Sequence, residues 1–406
     1  MALLPVEEAL ARLLSRAEPV TRTETVAIGA ALGRVLAKPL AARLTQPPFD
    51  ASAMDGYALR AADIASIGSK LTVIGESAAG RGFSGRVGEG QAVRIFTGAP
   101  MPEGADTVLL QEDALRLEDG RIENTFVPER GRHVRPRGQD FLEGEVVLDA
   151  GPRLDAGRLL VAAGMNHGHV EVYARPKVAI LSTGDELKAP GDELGPNQIV
   201  ASNSIAVAAL AREAGAEVID LGIVQDDVEQ IAAAARKAGE IGADVLVTLG
   251  GASVGDYDLV QSTLKSVGME LDFWKIAMRP GKPLMVGSLG ETIVLGLPGN
   301  PVSSMVCALL FMEPLLHRLA RLPYRSRERA AITASPLAEN DRRQDYVRAR
   351  GARDKEGRIV VTAFDKQDSS QMKIFALADA LIIRPPHAPA LEAGAECRIL
   401  ALREID

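Results

Sequence analysis

Cysteine, aromatic residues, long apolar runs and excess positive charge are all scarce in this chain, and each shortage removes a class of protein. The only cysteines are Cys307 and Cys397, far apart in sequence. Two isolated thiols give neither a disulfide framework nor zinc-ligand spacing, and both fall in apolar stretches. Buried free thiols in a reducing compartment are therefore expected. Aromatics are 4% of residues, with Trp274 the single tryptophan. No stretch approaches the roughly 18 uncharged apolar residues of a membrane span, so none is expected. The N-terminus, from Met1 to Pro5, lacks the basic and apolar regions of a signal peptide. A cytoplasmic chain with no membrane association is the expectation. Lys and Arg total 46 against 54 Asp and Glu, a net charge of -8. That excludes a broad nucleic-acid surface, although a local basic pocket is compatible with it. What is abundant is apolar material, 47% of 406 residues. This is enough for packed cores in about two to four domains, and too much for a disordered chain.

Hydrophobic spacing divides the chain. Val6, Ala9, Leu10, Leu13, Leu14 and Ala17 recur at helical intervals behind Pro5, predicting a helix over 5–17. A second helical pattern covers 27–42. Between about 45 and 140, short apolar runs at 71–74, 92–96 and 107–111 alternate with glycine-rich turns, the pattern of a small β-domain. Residues 143–175 return to a helical pattern, so the β-module reads as an insertion. From Lys177, apolar strands at 178–182, 217–224, 244–249, 273–278, 284–286 and 292–297 alternate with helices at 202–215, 226–239, 258–267 and 301–322. Strands separated by helices of this length make βαβ units, hence a doubly wound, mostly parallel α/β sheet with helices on both faces. Asp226 and Glu229 match a capping box, with Asp226 as cap. After about 324 only short strands follow, giving a small C-terminal β-domain. The expected division is a helical and linker domain (1–45 and 141–176), an inserted β-domain (46–140), the α/β domain (177–323) and the C-terminal β-domain (324–406).

Four loops follow strands of the α/β domain: Ser182-Thr-Gly-Asp-Glu-Leu187, Asp226-Asp227, Gly250-Gly-Ala-Ser-Val-Gly-Asp-Tyr-Asp258 and Gly296-Leu-Pro-Gly-Asn-Pro-Val-Ser-Ser304. In a parallel sheet all four gather on the rim where ligands bind. Asp185, Glu186, Asp226, Asp227, Asp256 and Asp258 supply oxygen ligands without His or Cys, which suits a hard cation such as Mg²⁺. Some of them would serve equally as helix caps or solvated turns, Asp226 above all. Gly250, Gly251 and Gly255 let backbone approach a ligand closely. Pro298, Gly299, Asn300 and Pro301 lead into a helix whose first amides favour an anion, with Ser303 and Ser304 adding hydroxyls. Lys275, Arg279 and Lys282 supply positive charge. In a continuous strand, Lys275 and Arg279 would share a face. A single glycine-rich loop is usually only a turn, but anion donors beside carboxylates make a stronger signal. The β-module carries three further turn-like segments, 47–57, 97–106 and 135–140.

Six of these segments resemble, in order, the motifs of the molybdopterin molybdenumtransferase family, which includes MoeA and the E domain of gephyrin. They are Pro48-Phe-Asp-Ala-Ser-Ala-Met-Asp-Gly-Tyr57, Thr97-Gly-Ala-Pro-Met-Pro-Glu-Gly104, Ser182-Thr-Gly-Asp-Glu-Leu187, Gly250-Gly-Ala-Ser-Val-Gly255, Pro280-Gly-Lys-Pro283 and Gly296-Leu-Pro-Gly-Asn-Pro-Val-Ser303. The resemblance covers nearly the whole chain. It implies an elongated homodimer of four-domain subunits, with the cleft between the α/β domain of one subunit and the β-module of the other. The functional residues it implies are Asp55, Thr97 and Asp140 from the module. From the α/β domain they are Glu186, Asp226, Asp258, Lys275, Arg279, Lys282, Pro298, Pro301 and Ser303, with Gly250, Gly251, Ser253, Gly299 and Asn300 in the binding loops. Arg348 and Ser370 resemble the family's Arg and Ser of the molybdate site, although Lys373 and Ile374 depart from its pattern. Arg279 stands where several relatives have Lys, which keeps the charge and changes the geometry.

The activity so implied joins molybdate to adenylated molybdopterin with release of AMP. The pyrophosphate would be bridged by Mg²⁺ to Glu186, Asp258 and Asp226, with molybdate among Arg279, Lys282, Ser303, Arg348 and Ser370. Holding both reactants makes the reaction effectively unimolecular, and Asp55 or Asp140 would position the attacking oxygen or act as general base. The adenylyltransferase of the same pathway and the enzymes that accept the cofactor are the implied partners. Two rival readings are that adenylyltransferase itself, whose fold resembles 177–322, and a non-catalytic scaffold. His133, His167, His169, His317 and His387 lie outside the motifs and are expected to be structural or solvated.

Overall fold

The computed structural model describes residues 3–250 and 259–406. It separates into two compact units, one of residues 1–22 with 173–406 and the other of residues 23–172.

The first unit is built on a six-stranded sheet in the order Glu217–Val224, Lys177–Thr183, Val245–Leu249, Thr292–Leu297, Met285–Leu289 and Glu270–Phe273. The first four strands run parallel, and Met285–Leu289 is antiparallel to both neighbours. Strand alternation sends successive side chains to opposite faces. Val178 and Ile180 enter a core shared with helices Val6–Ser15 and Ser202–Glu213 and the Pro301 helix. Ala179 and Leu181 enter a second core beneath helices Val228–Glu240 and Leu259–Ser266. The sheet is therefore covered on both sides, as its unbroken apolar strands require.

Helix Pro301–Leu319 is long and apolar enough to cross a membrane, and 78% of that window is buried in the structure. It is a core helix, and it contains a π-helical turn at Ala308–Met312. Cys307 is fully buried on it, its thiol pushed up by desolvation. Cys397 is only half-buried, against the expectation of two buried thiols.

The C-terminal strands close on themselves. Gln344–Arg353 pairs antiparallel with both Ile359–Ala363 and Ala380–Arg384, while Glu328–Thr333 and Glu396–Ala401 complete the ring. The result is a five-stranded barrel filled by Ala349, Val361, Ala380, Ile382 and Ile399.

One strand expected over 273–278 does not exist as such. It ends at Phe273, and Met278–Arg279 instead adds in parallel to the barrel strand at Gln344 and Asp345. Ile276 takes the Lys282 carbonyl and Ala277 the Leu4 carbonyl, so this backbone is satisfied outside the central sheet. Lys275 and Arg279 consequently share no strand face.

The second unit carries another six-stranded sheet, in the order Thr107–Leu110, Gly56–Leu59, Gln91–Ile95, Lys70–Ser77, Arg121–Asn124 and Ala114–Arg116. Tyr57, Leu59, Leu71, Leu109 and Ile122 form its main core. The helix expected over 27–42 is absent apart from a 3₁₀ turn at Ile28–Ala30. Gly33 adopts φ +77°, which stops helix propagation, and Leu40–Ala41 pairs with Val146–Leu148. The apolar spacing there serves burial of Ala31, Leu36 and Leu40 against helix Ala156–Gly164. That helix, capped by Asp155 through the Arg158 amide, is the only helical part of 143–175.

Candidate functional site

Three of the four expected loops meet on one rim of the first unit around a cavity of about 900 Å³, and Gly250, the one described residue of the fourth, joins them. Gly184 and Glu186 line it after Lys177–Thr183, Asp226 after Glu217–Val224, Gly250 after Val245–Leu249, and Pro298–Ser303 after Thr292–Leu297. Ser370 and Met372 reach it from the barrel. An apolar wall of Leu187, Leu194, Ile199 and Val200 faces them.

Two adjacent aspartates divide the work at one strand end. Asp227, not Asp226, caps helix Val228–Glu240, its side chain accepting from the Gln230 amide at 2.9 Å. The capping register is thus one residue later than the sequence pattern suggests, and this releases the Asp226 carboxylate into the cavity. Desolvation first, and then the charges of Asp185 and Glu186, push the Asp226 carboxyl above the ordinary carboxylate range. The Asp226 amide also donates to Asp185 Oδ1 at 3.1 Å.

Close backbone approach explains the glycines. Gly250 has φ +98°, and a Cβ there would lie 2.5 Å from the Thr183 carbonyl. Gly299 packs directly over Gly250. The Pro301 helix begins with fewer free amides than a bare helix end. Val302 N–H donates to the Ser369 carbonyl, while Asn300 Nδ2 reaches Ser369 Oγ at 3.0 Å. Asn203 Nδ2 holds the Gly299 carbonyl at 2.7 Å. Thr183 Oγ1, on a residue 3% exposed that lines the cavity, has no hydrogen-bond partner among the described residues. A buried hydroxyl with no partner costs free energy until something bonds to it.

The basic residues behave differently. Lys275, Arg279 and Lys282 do not line this cavity, although Pro283 does. Lys275 Nζ sits 4.0 Å from the Trp274 ring centroid. Arg279 is bound to Asp345 and, at 3.3 Å, to Asp341, a pairing that raises its pKa. Arg348, on the barrel strand Gln344–Arg353, is 1% exposed and lies on the outer face shared with Tyr346 and Leu381, opposite Ala349. Its Nε donates to Gln367 Oε1 at 3.1 Å and its Nη1 to the Asp368 carbonyl at 2.8 Å, and burial lowers its pKa. Ser370 turns its amide and hydroxyl to Asp368 Oδ1, which holds that carboxyl low.

In the second unit Asp55 Oδ1 accepts from Thr97 N–H at 2.7 Å and Thr97 Oγ1 at 2.8 Å; these two bonds hold its carboxyl below the ordinary range. Asp140 lines a separate cavity of about 550 Å³ with Arg135, Gln139 and Phe49. Gly251, Ser253 and Asp258 lie outside the described residues. Thr183, Asn203 and Ser369 are the groups that sequence reasoning passed over. Thr183 and Ser369 neighbour residues that it singled out, whereas Asn203 carries no local signal.

Three family models match the chain in succession: the MoeA N-terminal region (domains I and II) over residues 4–165, a probable molybdopterin binding domain over 179–318, and the MoeA C-terminal region (domain IV) over 330–402. A doubly wound sheet with a ligand rim, followed by a small barrel, thus belongs to the class of molybdenum cofactor biosynthesis proteins. The molybdopterin molybdenumtransferase of Haemophilus influenzae is 34% identical over 97% of both chains, and that of Bacillus subtilis is 33% identical over 99% of this chain and 94% of its own. A crystal structure of the MoeA protein of Pyrococcus horikoshii superposes with a TM-score of 0.82 at 31% identity, covering 99% of this chain and all of that one. The chain is a member of the molybdopterin molybdenumtransferase (MoeA) family.

Proposed function

We propose that this chain joins molybdate to adenylated molybdopterin and releases AMP, forming molybdenum cofactor. The observation that carries the reading is a single cavity lined both by carboxylates, Glu186 and Asp226, and by anion-binding groups, Ser303, Thr183 and the loop before the Pro301 helix. Its volume suits one organic ligand rather than a macromolecule.

A divalent cation fits the residues present. The carboxyl of Asp226, an exposed residue, is raised by partial desolvation and by the charges of Asp185 and Glu186, and a bound cation would offset that repulsion. Glu186 and Asp226 would hold Mg²⁺, with Asp258 added from outside the described residues. Among the described residues no group of three His, Cys, Asp or Glu is placed to share a metal. Two carboxylates plus ligand phosphate is nevertheless a common Mg²⁺ environment. When bound, the ion would offset the charge of the pyrophosphate.

The protein's own groups orient the reactants. Thr183 and Ser303 hydroxyls bind ligand oxygens, and buried Arg348, outside the cavity lining, supplies fixed positive charge for molybdate; as the two dithiolene sulfurs bind molybdenum, a molybdate oxygen leaves as water with the two dithiol protons. Asp55, anchored on Thr97, and Asp140 serve the proton transfers of phosphoanhydride cleavage. The family resemblance supports a cytoplasmic homodimer that receives its substrate from the adenylyltransferase and passes its product to cofactor-accepting enzymes.

The purified protein, given adenylated molybdopterin, molybdate and Mg²⁺, should release AMP and yield cofactor that reconstitutes an apoenzyme. Omitting Mg²⁺ or pairing Glu186→Ala with Asp226→Ala should abolish this. Full turnover by that folded double variant would end the cation assignment, and no AMP release by the parent protein would end the reading itself.

A further inference from the structure

Arg94 has no carboxylate partner within ion-pair distance among the described residues, yet it is one of the most constrained side chains of the second unit. It stands opposite Tyr57 in the antiparallel pairing of Gly56–Leu59 with Gln91–Ile95. Its guanidinium carbon lies 5.1 Å from the Tyr57 ring centroid and 5.0 Å from that of Phe96. Nη1 donates to the Gly56 carbonyl at 3.0 Å and Nη2 to Gln111 Oε1 at 2.6 Å. The Gln111 amide in turn donates to the Asp55 carbonyl at 3.2 Å. Gly56 cannot be anything larger here, because a Cβ would fall 2.0 Å from the Leu109 carbonyl. The backbone of Asp55 and Gly56 is thus gripped on one side by the sheet and on the other by Arg94.

We propose that Arg94 is a positioning residue for Asp55: its ring-stacked guanidinium fixes the Gly56 carbonyl and the Gln111 side chain, which keeps Asp55 Oδ1 on Thr97 and leaves Oδ2, which has no hydrogen bond among the described residues, for the reaction. The inference rests on the functional reading of Asp55 given above. Stacking alone needs no cation and hydrogen bonding alone needs no rings. Arginine is the residue that offers both, in a planar fork. It also places a permanent positive charge near Asp55, where it adds to the two Thr97 bonds in favouring the ionised carboxylate.

The test uses the full chain and AMP release as a function of pH. Arg94→Met should lower kcat by about tenfold to a hundredfold, as a small misplacement of a reacting group does. KM should stay within about twofold, and the acid limb of the profile should move to higher pH. Arg94→Lys, which keeps the charge, should hold the acid limb in place and recover part of kcat. Gln111→Leu, at an exposed position, should lower kcat in the same direction by less, and it decides the matter if Arg94→Met does not fold. Parental kcat and pH profile in both Arg94→Met and Gln111→Leu, with Asp55→Asn inactive, would overturn the assignment. So would equal loss in the Met and Lys variants with an unmoved acid limb. Full turnover by Asp55→Asn would instead remove the reading of Asp55 on which the assignment stands.

Discussion

Asn300 donates from Nδ2 to Ser369 Oγ at 3.0 Å, and Ser369 returns its carbonyl to the amide of Val302. A loop of the barrel is thereby stapled to the start of the helix that borders the cavity. The staple occupies one of the amides that a free helix end would offer to an anion. It also fixes Ser370 and Met372 at the cavity wall.

The two neighbouring serines should therefore differ. Ser369→Ala removes the link to Asn300 and should cost about 0.5–1.5 kcal/mol in urea unfolding while raising KM. Ser370→Ala leaves that link intact and loosens the turn onto Asp368, so its urea midpoint should stay closer to the parent while its KM rises through its place on the cavity wall. Urea unfolding of both variants decides, and a larger stability loss from Ser370 would contradict the staple.

Adjacent aspartates should move stability in opposite directions. The Asp226 carboxyl titrates higher folded than unfolded, so its ionised form is a penalty to the fold. That penalty appears as pH rises from the unfolded value, about 3.8, through the folded one, and it persists above. Asp226→Asn should raise the melting midpoint at neutral pH, the gain shrinking as pH falls toward about 4, while turnover is lost. Asp227→Ala removes a helix cap and should cost about 1 kcal/mol. Thermal melts between pH 4 and pH 8 separate the two (~0.1 M salt).

Thr183→Val replaces a buried hydroxyl that has no partner among the described residues. The ligand-free variant should be as stable as the parent or more so, because the unsatisfied oxygen is gone. Its KM for adenylated molybdopterin should rise. An unchanged KM would mean that this hydroxyl does not meet the ligand.

Arg348→Met removes a buried cation held by neutral acceptors. The Arg348 amide still donates to Gln367 Oε1 at 2.9 Å, so the local backbone stays in place. The exchange removes the desolvation cost of a buried charge but leaves the Asp368 carbonyl without its donor, and the two effects oppose each other. The urea midpoint should hold, while turnover at fixed molybdate should fall on the order of a hundredfold through loss of preorganised charge. Parental turnover would place the molybdate elsewhere.

Much of the α/β architecture was legible because its strands are short, apolar and bounded by turns. Glu217–Val224 and Thr292–Leu297 begin and end where the pattern says. The region 27–42 was misleading because three- and four-residue apolar spacing records only that one side is buried. Gly33 at positive φ and a two-residue strand satisfy that burial without a helix. The cap at Asp227 differs from the pattern by one residue, a shift that side-chain chemistry cannot register because both candidates are aspartate.

From the sequence alone came the ends of the four parallel strands, and with them the rim, because those ends are set by local runs of apolar residues and the loops that break them. Tertiary structure decided which rim groups face the cavity and which are diverted. Arg279 is pulled to Asp345, 66 residues away, and Ser369 is brought to Asn300 across 69. Such contacts depend on how separately stable segments pack against one another, and no local periodicity encodes that geometry.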